Sequence, residues 1–76
     1  MGTQGGEIMY VLNDKAKKLL MNFKFKWVAK TVGIHPDNLS KMVKQGKPCM
    51  KLTAYCLTKL LNADAEIEDY FTRVEN

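Results

Sequence analysis

The stretch from Phe25 to Lys44, FKWVAKTVGIHPDNLSKMVK, constrains the fold more than any other part of the chain. Val28, Ala29 and Val32 recur at helical spacing and stop at Gly33, which can take the positive φ of a tight inter-helix turn without the cost that a Cβ imposes. Ile34 follows as an apolar plug. Pro36 then suits the first position of a new helix, where its missing N–H would have had no partner. Leu39, Met42 and Val43 give that helix an inward stripe, and Asp37 in its first turn suits the helix dipole. Its outward residues are Asn38, Lys41, Lys44 and either Ser40 or Gln45.

The flanking segments extend this pattern. Asn13 and Asp14 supply a capping signal, and Leu12, Ala16, Leu19, Leu20 and Phe23 follow at helical spacing with Lys15, Lys17 and Lys18 opposite. Gln45 to Pro48 reads as a loop. Lys51 to Leu61 predicts a fourth helix with Leu52, Tyr55, Cys56 and Leu60 inward, joined by Met50 and Leu57, and with Asn62 closing it in the left-handed conformation. Asp64 reads as the cap of a fifth helix, in which Ile67, Tyr70, Phe71 and Val74 repeat at i, i+3, i+4 and i+7. The expected fold class is therefore all-α, a bundle of about five short helices containing a helix-turn-helix. Residues 13–76 would form the domain. In residues 1–12, MGTQGG reads as a flexible arm, and EIMYVL as either a strand pairing across a dimer or a lead-in packed on the core.

Charge is segregated along the chain. From Lys15 to Lys59 there are eleven lysines against the single acid Asp37, a net +10, whereas residues 60–76 hold five acids and only Arg73. A surface kept basic for solubility alone would intersperse its signs. Segregation of this kind points to a polyanionic partner.

Other classes are disfavoured. A chain of 76 residues with 46% apolar content supports one domain and lies outside the disordered class. Cys49 and Cys56, if on one helix, stand roughly 10 Å apart, beyond disulfide reach. No leader-like or membrane-spanning run is visible, so a cytoplasmic, reducing location is expected. His35 and the two cysteines lack metal-ligand spacing, so no metal or cofactor is expected. With no paired carboxylates, no nucleophile beside a base and no Gly-rich phosphate loop, the chain does not read as an enzyme, and no small-molecule ligand is indicated.

Ala29, Gly33 and Leu39 form a spaced pattern, a small residue, a turn glycine and an aliphatic anchor, with Val28, Val32, Ile34 and Met42 filling its other apolar positions. This pattern resembles the helix-turn-helix of the lambda-repressor-like family, which includes Cro and the phage repressors (the XRE class). The likeness covers roughly Asn13 to Phe71. It departs from the family in Phe25, where members often carry glutamine, in the first turn HPDN, and in a first helix without the usual arginine-containing pattern.

The resemblance implies a transcriptional regulator that binds double-stranded DNA as a homodimer, with the third helix in the major groove. Asp37, Asn38 and Lys41 are then the candidate base contacts, Asp37 and Asn38 having capping of the third helix as their alternative role. Lys24, Lys26, Lys30, His35, Lys44, Lys47 and Lys51 are the candidate backbone contacts, His35 alternatively a cap. Trp27 either stacks on sugar or packs at the core edge. The competing function is a protein of the same fold that binds and modulates another protein. EIMYVL and the acidic C-terminal helix are the two candidate dimer surfaces.

Overall fold

The computed structural model describes residues 8–75. The segment 1–6, read above as a flexible arm, lies outside them. Alternation over Ile8–Leu12 turns Tyr10 and Leu12 into the core and leaves Met9 and Val11 half-covered, which makes this segment a strand, β1. Five helices follow, α1 (Asp14–Leu20), α2 (Phe25–Val32), α3 (Pro36–Gln45), α4 (Lys51–Leu61) and α5 (Ile67–Tyr70), and then a second strand, β2 (Phe71–Glu75). The strands pair antiparallel, from Leu12 opposite Phe71 to Ile8 opposite Glu75. On the other edge of β1, Tyr10 exchanges both backbone hydrogen bonds with Cys49, each 2.8 Å long.

The expectation of an all-α bundle is thus overturned: the domain is mixed α/β, with five helices and a two-stranded antiparallel sheet. The fifth helix is one turn long, and two interactions end it. The Asn13 N–H donates to the Tyr70 carbonyl, and the Asn13 side-chain amide donates to the Asp69 carbonyl, both at 3.0 Å. Phe71 then extends, its ring meeting Tyr10 edge-on with centroids 6.4 Å apart. The spacing of Ile67, Tyr70, Phe71 and Val74 fits a helix on paper, but the bonds β1 offers lie more than fifty residues upstream, beyond the reach of local periodicity. The two segments that looked like dimer surfaces pair with each other inside one chain.

Asn13 also caps α1, its Oδ1 accepting from the Ala16 N–H at 2.9 Å. The cap of α5 is Glu66 rather than Asp64, with the Asp69 carboxylate accepting from the Glu66 N–H at 2.9 Å. Asn62 is extended, at φ −161°, and not left-handed. The ammonium of Lys59 closes this corner instead, donating to the carbonyls of Ala63 and Ala65.

α4 buries Leu57 as expected but departs from the expected inward set at Met50, Leu52 and Tyr55, which are exposed. Ala54, Leu57 and Thr58 face the core, while Leu52 and Tyr55 are 72% and 49% exposed. The small Ala54 lets α4 approach its neighbours closely, and buried Thr58 satisfies its own hydroxyl by donating to the Ala54 carbonyl at 2.8 Å. Leu20, Val28, Leu39 and Leu57, one from each of the first four helices, are fully buried and form the centre of the core. Among the described residues no helix is long and apolar enough to cross a membrane.

Replacing Leu57 with Ala should cost about 2–5 kcal/mol in chemical denaturation, whereas Cys56→Ala, one position along, should cost under about 0.5 kcal/mol. Both cysteines are free, and burial pushes the Cys49 thiol from 9.0 up to about 11. The folded state therefore holds this proton more tightly than the unfolded chain. The stabilisation is complete below pH 9 and is lost as the pH climbs from 9 toward 11. Alkylation at pH 8 should modify Cys56 quickly and Cys49 only at the rate of unfolding, as mass spectrometry of timed samples would show.

Candidate nucleic-acid interface

α2 and α3 meet across Gly33, which adopts φ 89° and ψ 31°. The N–H groups of Gly33 and Ile34 both donate to the Ala29 carbonyl, at 2.8 and 2.9 Å, so the turn satisfies the helix end within its own backbone. A Cβ on Gly33 would have no atom within 4 Å, so the residue is required by its dihedral angle and not by lack of space. α3 closes in the same way at Gly46, φ 70°, followed by the Lys47 N–H bonding back to Lys41.

α3 is packed through Leu39, Met42 and Val43, as the apolar stripe requires. Asp37, Lys41 and Lys44, at i, i+4 and i+7, therefore form the exposed line opposite the core, with Asn38 and Gln45 also exposed. His35 is the N-cap: its Nδ1 accepts from the Asp37 N–H at 3.1 Å and stands 3.8 Å from the Asp37 carboxylate. Capping thus falls to His35, which leaves the Asp37 and Asn38 side chains outside that role.

Asn38 is engaged elsewhere. Its Oδ1 accepts a hydrogen bond from the Lys47 ammonium at 3.1 Å, so the lysine after α3 reaches back to the first turn of the same helix. The two share a cleft with Ile34, Met42 and Met50. Lys51 is not part of this group. It lines a separate cleft with Tyr55, Lys59, Glu66 and Glu68.

Lys24, Lys26 and Lys30 are exposed on or beside α2. Among the described residues no lysine ammonium lies within 4.0 Å of a carboxylate. The α2–α3 surface therefore carries Lys24, Lys26, Lys30, Lys41, Lys44 and Lys47 with Asp37 as the only nearby acid in sequence. Solvent ions or an external anion must balance these charges.

Two features escaped the sequence reading. The N-caps of α2 and α4 are Lys24 and Met50, neither of which makes a side-chain cap bond, whereas α1 and α3 are capped by Asn13 and His35. The signal was present: no Ser, Thr, Asp or Asn stands at either position. Trp27 both packs and protrudes, one face stacked on Phe23 at 6.0 Å and 10° while 52% of the residue remains exposed.

Comparison with known proteins gives no match to any family model, curated protein or solved structure. Among the described residues no group of three His, Cys, Asp or Glu converges as a metal site.

Gly33→Ala should lower stability by about 1–2 kcal/mol, the cost of a left-handed non-glycine residue, without rearranging α2 and α3, because the added methyl meets open space. Thermal denaturation beside an unchanged far-UV spectrum would show this.

Proposed function

We propose that the protein is a sequence-specific regulator that binds double-stranded DNA in the manner of lambda-repressor-like helix-turn-helix proteins, acting in the bacterial cytoplasm. The observation that carries this reading is the line Asp37, Lys41 and Lys44 on α3, exposed opposite the core and accompanied by exposed lysines of α2 that no carboxylate among the described residues approaches within 4.0 Å. A helix held this way by a left-handed glycine turn can enter a major groove, about 12 Å wide, while the preceding helix crosses the backbone.

The roles divide by chemistry. Lys41 addresses guanine O6 or N7, and Asp37 accepts from cytosine N4. Asn38 is a weaker base reader than its residue type suggests, because adenine recognition needs both amide atoms and Lys47 holds its oxygen. Release of that bond on binding would free Asn38 for a base and Lys47 for a phosphate together. Lys24, Lys26, Lys30 and Lys44 supply charge for register on the backbone. The α2 N-terminus, with open N–H groups and Lys24 beside it, favours a phosphate oxygen. His35 has Nδ1 committed to its cap, which leaves Nε2 for a backbone contact. Lys51 is the least suited of the candidate contacts, since Glu66 and Glu68 share its cleft.

A second reading has an observation of its own. The exposed Trp27 with Phe23 behind it would serve equally as an anchor on another protein, and Met21 nearby in sequence is also exposed. The two readings separate on salt.

If about five phosphates are neutralised, log K should fall against log salt with a slope near −4 to −5 on random duplex. The double substitution Lys41→Glu and Lys44→Glu should remove binding and leave the circular dichroism spectrum intact. No salt-dependent binding to any duplex at micromolar protein would refute the DNA reading and favour a protein partner.

A further inference from the structure

Trp27 is the only tryptophan of the chain, and it stands on α2 with 52% of its surface exposed. The ring is nonetheless held in place. Phe23 lies nearly parallel to it, at 10° with centroids 6.0 Å apart, an offset stack that fixes the indole plane from one side. Phe23 itself packs on the core, so the pair is anchored to the body of the domain. The other side of the indole is not taken by a cation: among the described residues the cation–π contacts fall on Tyr70 and Tyr55. Thr31, one turn further on, spends its hydroxyl on the Trp27 carbonyl at 2.8 Å.

The indole is bordered by charge of one sign. Lys24 and Lys30, at i−3 and i+3, are its neighbours along the helix surface, and Lys26 precedes it. All three are exposed, and no carboxylate among the described residues approaches them within 4.0 Å. The centre of a protein–protein interface is depleted in lysine, and a protein seated on this ring would need a carboxylate for each ammonium it desolvated. A nucleic-acid strand supplies both complements at once. Its base has a flat π face to lay on the indole, and its phosphates recur on either side of that base. Inside a duplex each base already has a neighbour on both faces, so the base has to be unpaired.

We propose that Trp27, with Lys24, Lys26 and Lys30, is a binding platform for an unpaired base of single-stranded nucleic acid, DNA or RNA. Trp27 stacks one base, and the lysines take the adjoining phosphates. Because Phe23 already holds the indole plane, little side-chain freedom is lost on binding. The platform uses none of Asp37, Lys41 and Lys44 and does not rest on the duplex reading.

The emission of Trp27 reports the contact without any label, since no other tryptophan contributes. Oligothymidylate and oligouridylate, each about ten nucleotides long, should quench it at low salt, and the stronger of the two shows which sugar the platform favours. An abasic strand of the same length and charge should quench little and bind at least about fivefold more weakly. Trp27→Ala, followed through a dye on the oligothymidylate, should weaken binding by about five- to a hundredfold, and Trp27→Phe should recover most of the loss. As half the residue is exposed, both variants should keep the wild-type far-UV spectrum. An abasic strand that binds and quenches as oligothymidylate does would overturn the proposal by reducing the site to charge. Polyglutamate matching oligothymidylate would overturn it in favour of an acidic protein partner. Quenching by either single strand without duplex binding would support it while the duplex reading failed, and duplex binding without quenching by either strand would do the reverse.

Discussion

Tyr10 is the residue through which the distant parts of this domain are tied together. Its backbone sits opposite Arg73 on one edge of β1 and exchanges two hydrogen bonds with Cys49 on the other, and its ring packs edge-on against Phe71. The last strand and the segment that leaves α3 are therefore fixed to one central strand. A small domain has little core to spare, and here the sheet supplies the closure that a fifth full helix would otherwise have had to give. Asn13 reinforces the same corner, capping α1 while bonding the last carbonyls of α5.

That closure bears on the candidate interface through Cys49. Because Cys49 is anchored to Tyr10, the loop from Gly46 to Met50 has a fixed path, and Lys47 can reach back to Asn38 from it. The other end of α3 is set by the Gly33 turn and the His35 cap. α3 is thus held at both ends by backbone geometry and packed by three apolar side chains, while among the described residues the side chains of its outer line, Asp37, Lys41 and Lys44, make no bond beyond the 3.8 Å approach of His35 to Asp37. A rigid element with an uncommitted basic face is what recognition of a polyanion requires.

Legibility in the sequence followed the range of the interactions. The helices α1 to α4, the turn at Gly33 and the inward set of Val28, Ala29, Leu39, Met42 and Val43 were readable, because caps, a turn glycine and a 3.6-residue period are local signals. β2 was not, because Phe71 and Val74 extend only in answer to β1. The inward face of α4 is legible only in part: Leu57 is buried and Leu60 packs on the core as the period predicts, but Leu52 and Tyr55 outscore Ala54 and Thr58 in apolarity, and close packing selects the small residues for the inside. At the interface the lysines are visible as charge and the cap at His35 is a local signal two residues long, whereas the bond from Lys47 to Asn38 depends on the path of the loop that follows α3.

The central claim, that α3 and the α2 lysines form a DNA-reading surface, is tested most directly by following backbone amide shifts during titration with a random-sequence duplex at low salt. The account predicts that the largest changes fall in α2 from Phe25 to Lys30 and in the stretch from His35 to Lys47, with β1, β2 and α5 little affected. Changes centred on the sheet or on α5, or no changes at all, would contradict it.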